Sequence, residues 1–122
     1  MIPLPLTLIL VAGVKTIKEH RDEVKRVIRA GIKANRYLRQ NRDGTIQAMM
    51  QWMKIDREIA TATYDGAVKS FNDDGGVTEA GLRIAIDDSK RSANITREVA
   101  ISEVADLTVL REAQREMGIR NR

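Results

Sequence analysis

The densest run of oxygen donors in the sequence is Asn72-Asp73-Asp74-Gly75-Gly76-Val77-Thr78-Glu79. Oxygen donors in a glycine-rich turn are what a hard cation requires. A calcium loop of the EF-hand kind needs donors at alternate positions, Gly at the sixth and Glu at the twelfth. Counting from Asn72 or Asp73 gives no such frame, so the stretch reads as a capped turn between helices. His20 is the only histidine and there is no cysteine. A transition-metal ligand set is not expected from that inventory, no Ser–His–acid set can be argued around the lone histidine, and disulfides are excluded. Asp73-Asp74 and Asp87-Asp88 pair carboxylates, but nothing in sequence opposes them. No phosphate-cradling glycine loop of the Walker or dinucleotide type occurs. Catalytic, cofactor-binding and metal-ligating residues are all expected to be none, and the chain is not expected to be an enzyme.

What chemistry remains is electrostatic. The formal net charge of +4 is unevenly spread. Lys15–Arg42 holds ten Lys/Arg against three acids, +7, and the remainder eleven against fourteen, −3. A basic segment of this kind raises the question of nucleic acid or a membrane surface. Lys25, Arg29, Lys33 and Arg36 fall on or near one side of a helix, which ordinarily is a solvated face. Tyr37 is the only aromatic there, whereas single-strand binders interleave several. Nucleic acid is therefore not the favoured partner.

The elements that position these groups follow from periodicity. Thr7-Leu8-Ile9-Leu10-Val11 is nearly continuous in apolar residues, the pattern of a strand covered on both faces, and Pro3 and Pro5 suit its entry. It is too short to span a membrane as a helix and lacks the basic start of a signal peptide. Lys15–Glu19 could make one helical turn. A long helix is predicted from about Asp22 to Gln40, with Val24, Val27, Ile28, Gly31, Ala34 and Leu38 as its apolar stripe. A third runs from about Asp43 to Met53, with Ile46, Met49, Met50 and Met53 in step and Trp52 off the stripe, placed to cover a seam. Asp56 caps the next helix; Ala60, Tyr64, Ala67, Val68 and Phe71 share its face. Asn72–Gly76 ends it, and Thr78 caps a helix over about Glu79–Lys90 with Leu82, Ala85 and Ile86 inward. The two are expected to pack as a helical hairpin. Ser92–Val99 reads as loop, Val99–Ile101 as extended, and Thr108 as the cap of a last helix through Met117, stopped by Gly118.

The stretch Lys54–Leu82 carries a resemblance. An acid and an isoleucine open its helix, Ala60 and Tyr64 sit within it and Phe71 near its end. Asp74-Gly75, Val77, Thr78 and Gly81-Leu82 follow. This resembles the C-terminal region of the substrate-binding proteins of ABC importers for nitrate, taurine, alkanesulfonates and thiamine precursors. Pro3–Gly13 is similar to the strand by which such proteins return from the second lobe to the first. Thr16–Ala34 resembles their short helix followed by a long one, and Val104–Gly118, with Asp106-Leu107-Thr108 leading into Leu110-Arg111-Glu112-Ala113, their closing helix. The departures are His20-Arg21, where Asn-Pro is usual, and Arg42-Asp43-Gly44 in place of a Pro-Glu-Glu-like start.

The resemblance implies a single partial domain. Residues 1–13 would be the strand returning to the first lobe, and 14–122 the helical C-terminal part of that lobe. The fold class expected of the chain is mostly α, one N-terminal strand plus about five helices, taken from an α/β two-lobed periplasmic-binding-protein fold. It implies capture of a small solute of the sulfonate, nitrate or thiamine-precursor class for transport, without cofactor, outside the cytoplasm. The partners implied are the missing N-terminal lobes and the importer's membrane subunits. Substrate-binding residues are unassigned; Thr7 and the strand end near Gly13 fall near the hinge without being binding residues. Leu4–Val11, apolar on both sides, is expected to promote self-association of the chain alone. The rival readings are an independent module binding nucleic acid through helix 22–40, and a stand-alone helical interaction domain whose strand pairs with a partner's sheet.

Overall fold

The structure, a computed structural model, describes residues 11–120. Its spine is α2 (Arg21–Gln40), preceded by the short α1 (Val14–Glu19). Asp22 and Glu23 lie in the first turn of α2 and Arg39 in its last, as the helix dipole favours. Only Ile32 is fully buried on it, with Val24, Ile28, Gly31 and Leu38 half-buried. Val27 is 56% exposed and Ala34 is exposed, so the predicted stripe is rotated. The inward line follows four-residue steps through Val24, Ile28 and Ile32, because the neighbouring helix sits on that side.

That neighbour is α7 (Thr108–Glu116). Arg21 meets Thr108 and Glu112, and Arg29 meets Glu116, so α2 and α7 run parallel. Val109, Ala113 and Gln114 are its buried side. Thr108 is the first helical residue rather than the cap. Asp106 does the capping work instead, its Oδ1 accepting from the Thr108 N–H at 2.9 Å and hydroxyl at 2.6 Å. Gly118, at φ 70°, ends the helix.

The far end of α2 carries a helical hairpin, but a different one from that predicted. Helix α3 (Arg42–Met53) packs on α4 (Arg57–Ala67), and Ile46, Ala60 and Tyr64 form the buried cluster. Leu38, Met49, Met50, Ile55 and Val68 close around it. Lys54 turns the chain at φ 55°, and Asp56 caps α4 by accepting from the Ile59 N–H at 2.9 Å. The Tyr64 hydroxyl donates to the Leu38 carbonyl at 2.8 Å. That carbonyl lies in the last turn of α2, where helical partners run out. Trp52, expected over a seam, is 88% exposed, and Met53, expected in the core, is 52% exposed. Trp52 points away from the Ile46 side by the helical period, and Met53 lies in the final turn where the chain leaves for α4.

Helix α4 stops at Ala67, followed by a 3₁₀ turn over Val68–Ser70 and an extended Phe71. The chain then passes over Ile32 at Gly75, and α5 (Glu79–Ser92) packs on the short α6 (Ile101–Val104) rather than as a hairpin on α4. The crossing turn docks on both parallel helices. The Gln114 amide donates to the Asp74 carbonyl at 2.8 Å, and Arg36 Nε to the Asp73 carbonyl at 2.8 Å. Gly75, at φ 73°, lies so close that a Cβ there would meet Ile32 Cγ1 at 2.9 Å. Thr78 caps α5 by accepting from the Gly81 N–H at 3.0 Å. Val99–Ile101, predicted extended, is so only to Ala100, which precedes α6.

The described residues are mostly helical, with five helices of two turns or more and no strand. The strand expected at Thr7–Val11 lies outside them apart from Val11, which belongs to no regular element and is 89% exposed.

Candidate functional site

Helices α2 and α7 meet along a row of ion pairs. Arg21 grips Glu112 with two nitrogens, at 2.7 and 3.2 Å. One turn on, Glu116 takes both Lys25 and Arg29, each at 2.7 Å. The Arg21 hydrogen bond holds the Glu112 carboxyl below its usual range, and the Lys25 bond does the same for Glu116, with Arg29 adding a smaller effect. Reciprocally, Glu112 raises the Arg21 guanidinium and Glu116 the Lys25 ammonium. The spacing explains the register. Cations at 21, 25 and 29 and acids at 112 and 116 each recur every four residues, one helical turn.

The basic segment predicted from composition is thus divided in two. Lys25 and Arg29 are not on a solvated face; they are half-buried and answered by α7. Arg36 is spent on the Asp73 carbonyl. Arg26 and Lys33 remain exposed, and among the described residues neither has a carboxylate within salt-bridge distance. With Arg29, Ala30, Glu116 and Met117 they line an open groove of about 650 Å³ beside the α2–α7 seam. A composition count could not see Glu112 and Glu116 coming, but their four-residue spacing against Arg21, Lys25 and Arg29 was the available signal.

The other candidates resolve into structure. In the turn at 72–76, Asn72 Oδ1 accepts from the Gly75 N–H at 2.8 Å, and its amide donates to the Gly76 carbonyl. Asp74 Oδ1 accepts from the Gly76 N–H at 2.7 Å. These are the local Asx bonds of a turn, and they commit Asn72 Oδ1 and one oxygen of Asp74 to the chain's own backbone. No cluster of three metal-capable side chains exists among the described residues. His20 joins α1 to α2 in solvent, its Nδ1 3.5 Å from Glu23. Asp88 pairs with Arg91 on its own helix. Gly13 is the exposed residue before α1, and Thr7 lies outside the described residues. Elsewhere, Arg42 holds Asp65 at 2.9 and 3.1 Å and lies 5.9 Å from the Tyr64 ring centre, tying α3 to α4.

No helix among the described residues is long and apolar enough to cross a membrane. No family model, curated protein or solved structure matches the chain.

Proposed function

We propose that this chain is the C-terminal helical part of a two-lobed substrate-binding protein of an ABC importer. In the intact protein it would help form the lobe that, with its partner lobe, closes on a small solute of the sulfonate, nitrate or thiamine-precursor class. No bond is made or broken; the work is capture and delivery to the importer's membrane subunits outside the cytoplasm. Ligand contacts in such a cleft come from strand ends of both lobes, most of which this chain lacks. By its sequence, Leu4–Val11 would supply a strand to the first lobe's sheet.

The observation that carries this reading is the imbalance between core and uncovered apolar surface. Seven hydrophobic residues are buried among the described residues, while Trp52, Met53, Ile59 and Val104 are each more than half exposed. Burying one such side chain is worth about 1.5–3 kcal/mol, large against the net stability of about 5–15 kcal/mol typical of a domain. Helices arranged this way fit a part whose remaining cover is supplied by other chain. The order of a short helix, a long helix and a closing helix also agrees with the resemblance.

Two measurements on the purified chain test the reading. Sedimentation is expected to show self-association, through Leu4–Val11 or the uncovered apolar faces. Calorimetric titration with taurine, nitrate or an aminopyrimidine is expected to show no heat of binding. A stable monomer that binds any of them at micromolar concentration would overturn it, as would an in-frame upstream coding sequence that encodes no α/β lobes.

A further inference from the structure

We propose that the groove lined by Arg26, Arg29, Lys33 and Met117 is a docking surface for an acidic helical segment of a protein partner. The chain itself supplies the template. Helix α7 lies parallel on α2 and presents Glu112 and Glu116, one turn apart, to Arg21, Lys25 and Arg29. The next row around α2 repeats the cationic spacing: Arg26, Arg29 and Lys33 fall at three- and four-residue steps, so they share a face. Arg26 and Lys33 stand about 10 Å apart along the axis at about 1.5 Å per residue. That separation matches two carboxylates seven residues apart on a second helix. Among the groove's residues, three cations face one carboxylate, Glu116, which is already shared between Lys25 and Arg29. The groove is therefore an electropositive strip toward Lys33, while its Arg26 end adjoins Asp22 and Glu23. Ala30 and Met117 give it an apolar floor on which a small or unbranched side chain can rest, and Met adapts to varied partners.

A helix of protein suits this strip better than nucleic acid does. Tyr37, 55% exposed, is the one aromatic on α2, too few for a stacking platform, and the groove's unpaired cations, Arg26 and Lys33, span only two turns. The inference does not rest on the transport reading, since it uses only the α2–α7 geometry.

The test uses the whole chain and a synthetic alanine-rich peptide of about 16 residues, long enough to be helical, with glutamates at i, i+4, i+7 and i+11. Fluorescence anisotropy of the labelled peptide is expected to show saturable binding that weakens as salt rises. Arg26→Glu with Lys33→Glu should lower affinity by roughly tenfold or more, as reversal of facing charges does. Arg26→Lys with Lys33→Arg should retain it, with unchanged helical circular dichroism in both variants. The proposal is overturned if charge reversal leaves peptide affinity unchanged. Tighter binding of a duplex oligonucleotide or of vesicles containing phosphatidylglycerol, lost in the same reversal variant, would overturn it equally.

Discussion

Replacing Ile46 with alanine tests whether the α3–α4 cluster is the stabilising core of this end of the molecule. Ile46 is fully buried, at 0% exposure, against Ala60 and Tyr64. The substitution removes three carbons, each worth about 0.8 kcal/mol when buried, for a transfer loss of about 2.4 kcal/mol. A cavity term comes on top only where the walls cannot close. Here the walls include Leu38, Met49, Met50, Ile55 and Val68, all partly exposed, and methionine chains move readily. The total should therefore stay near about 2–3 kcal/mol, the lower half of the range for such truncations. With a urea slope of about 1–3 kcal/mol per molar, the unfolding midpoint should fall by about 1–2 M. Far-UV circular dichroism is the probe, because Trp52 is 88% exposed in the folded chain and its emission should change little. Ile84→Ala is the control, since Ile84 on α5 is 41% exposed and should cost less than about 1 kcal/mol. Equal midpoints for the two variants would refute the core assignment.

Tyr64→Phe removes the donor to the Leu38 carbonyl and should cost about 1 kcal/mol, measured by the same denaturation. Two glycines should respond with opposite signs. Gly75→Ala, at φ 73° and with Ile32 and Leu110 in the way, should destabilise by about 2 kcal/mol or more. Gly66→Ala, within α4 and facing open space, should raise the thermal midpoint by an amount equivalent to about 0.5–1 kcal/mol. The α2–α7 pairs set a pH dependence. Glu112 and Glu116 are held below their usual range by Arg21 and Lys25, so in that region the unfolded chain binds more protons than the folded one. Their contribution is present above the unfolded value, about 4.3, and is lost as pH falls through the lower folded one. A thermal midpoint that falls more steeply below about pH 4.3 in the natural chain than in Glu112→Gln/Glu116→Gln would bear this out. High salt should shrink the difference.

The helices were legible because their signals are local. Caps at Asp56 and Thr78, the dipole-matched acids at Asp22 and Glu23, and Gly118 after the last turn each act within one helix. The bonds of Asp56 and Thr78 are found where expected. The pairing of helices was not legible. Periodicity at Ala60, Tyr64 and Val68 says that α4 has an apolar face, not which helix meets it. The Asn72–Gly76 turn looked like the bend of a hairpin, because Asx residues and glycines also make bends. Its actual task depends on Gly75 touching Ile32, about forty positions away in the chain. Phe71 shows the consequence: sequence placed it at the end of a buried face, where loss to alanine would cost about 3–5 kcal/mol. It lies instead in the extended chain past α4 and is only half-buried, so the cost should be nearer about 1–2 kcal/mol.

The same limit governs charge. Read along the chain, Lys15–Arg42 is a +7 segment and invites a polyanion. Read in three dimensions, α7 lies parallel on it and places Glu112 and Glu116 among Arg21, Lys25 and Arg29. These contacts join residues 87 or more positions apart, which no window over the sequence spans. Lys15, Lys18 and Arg39 stay exposed toward the segment's ends, and beside the seam the flank at Arg26 and Lys33 is a smaller and more specific feature than the composition implied. Its spacing rather than its total charge makes it informative. Cations three and four residues apart on a straight helix address carboxylates with the same repeat, and α7 already shows how such a helix is held.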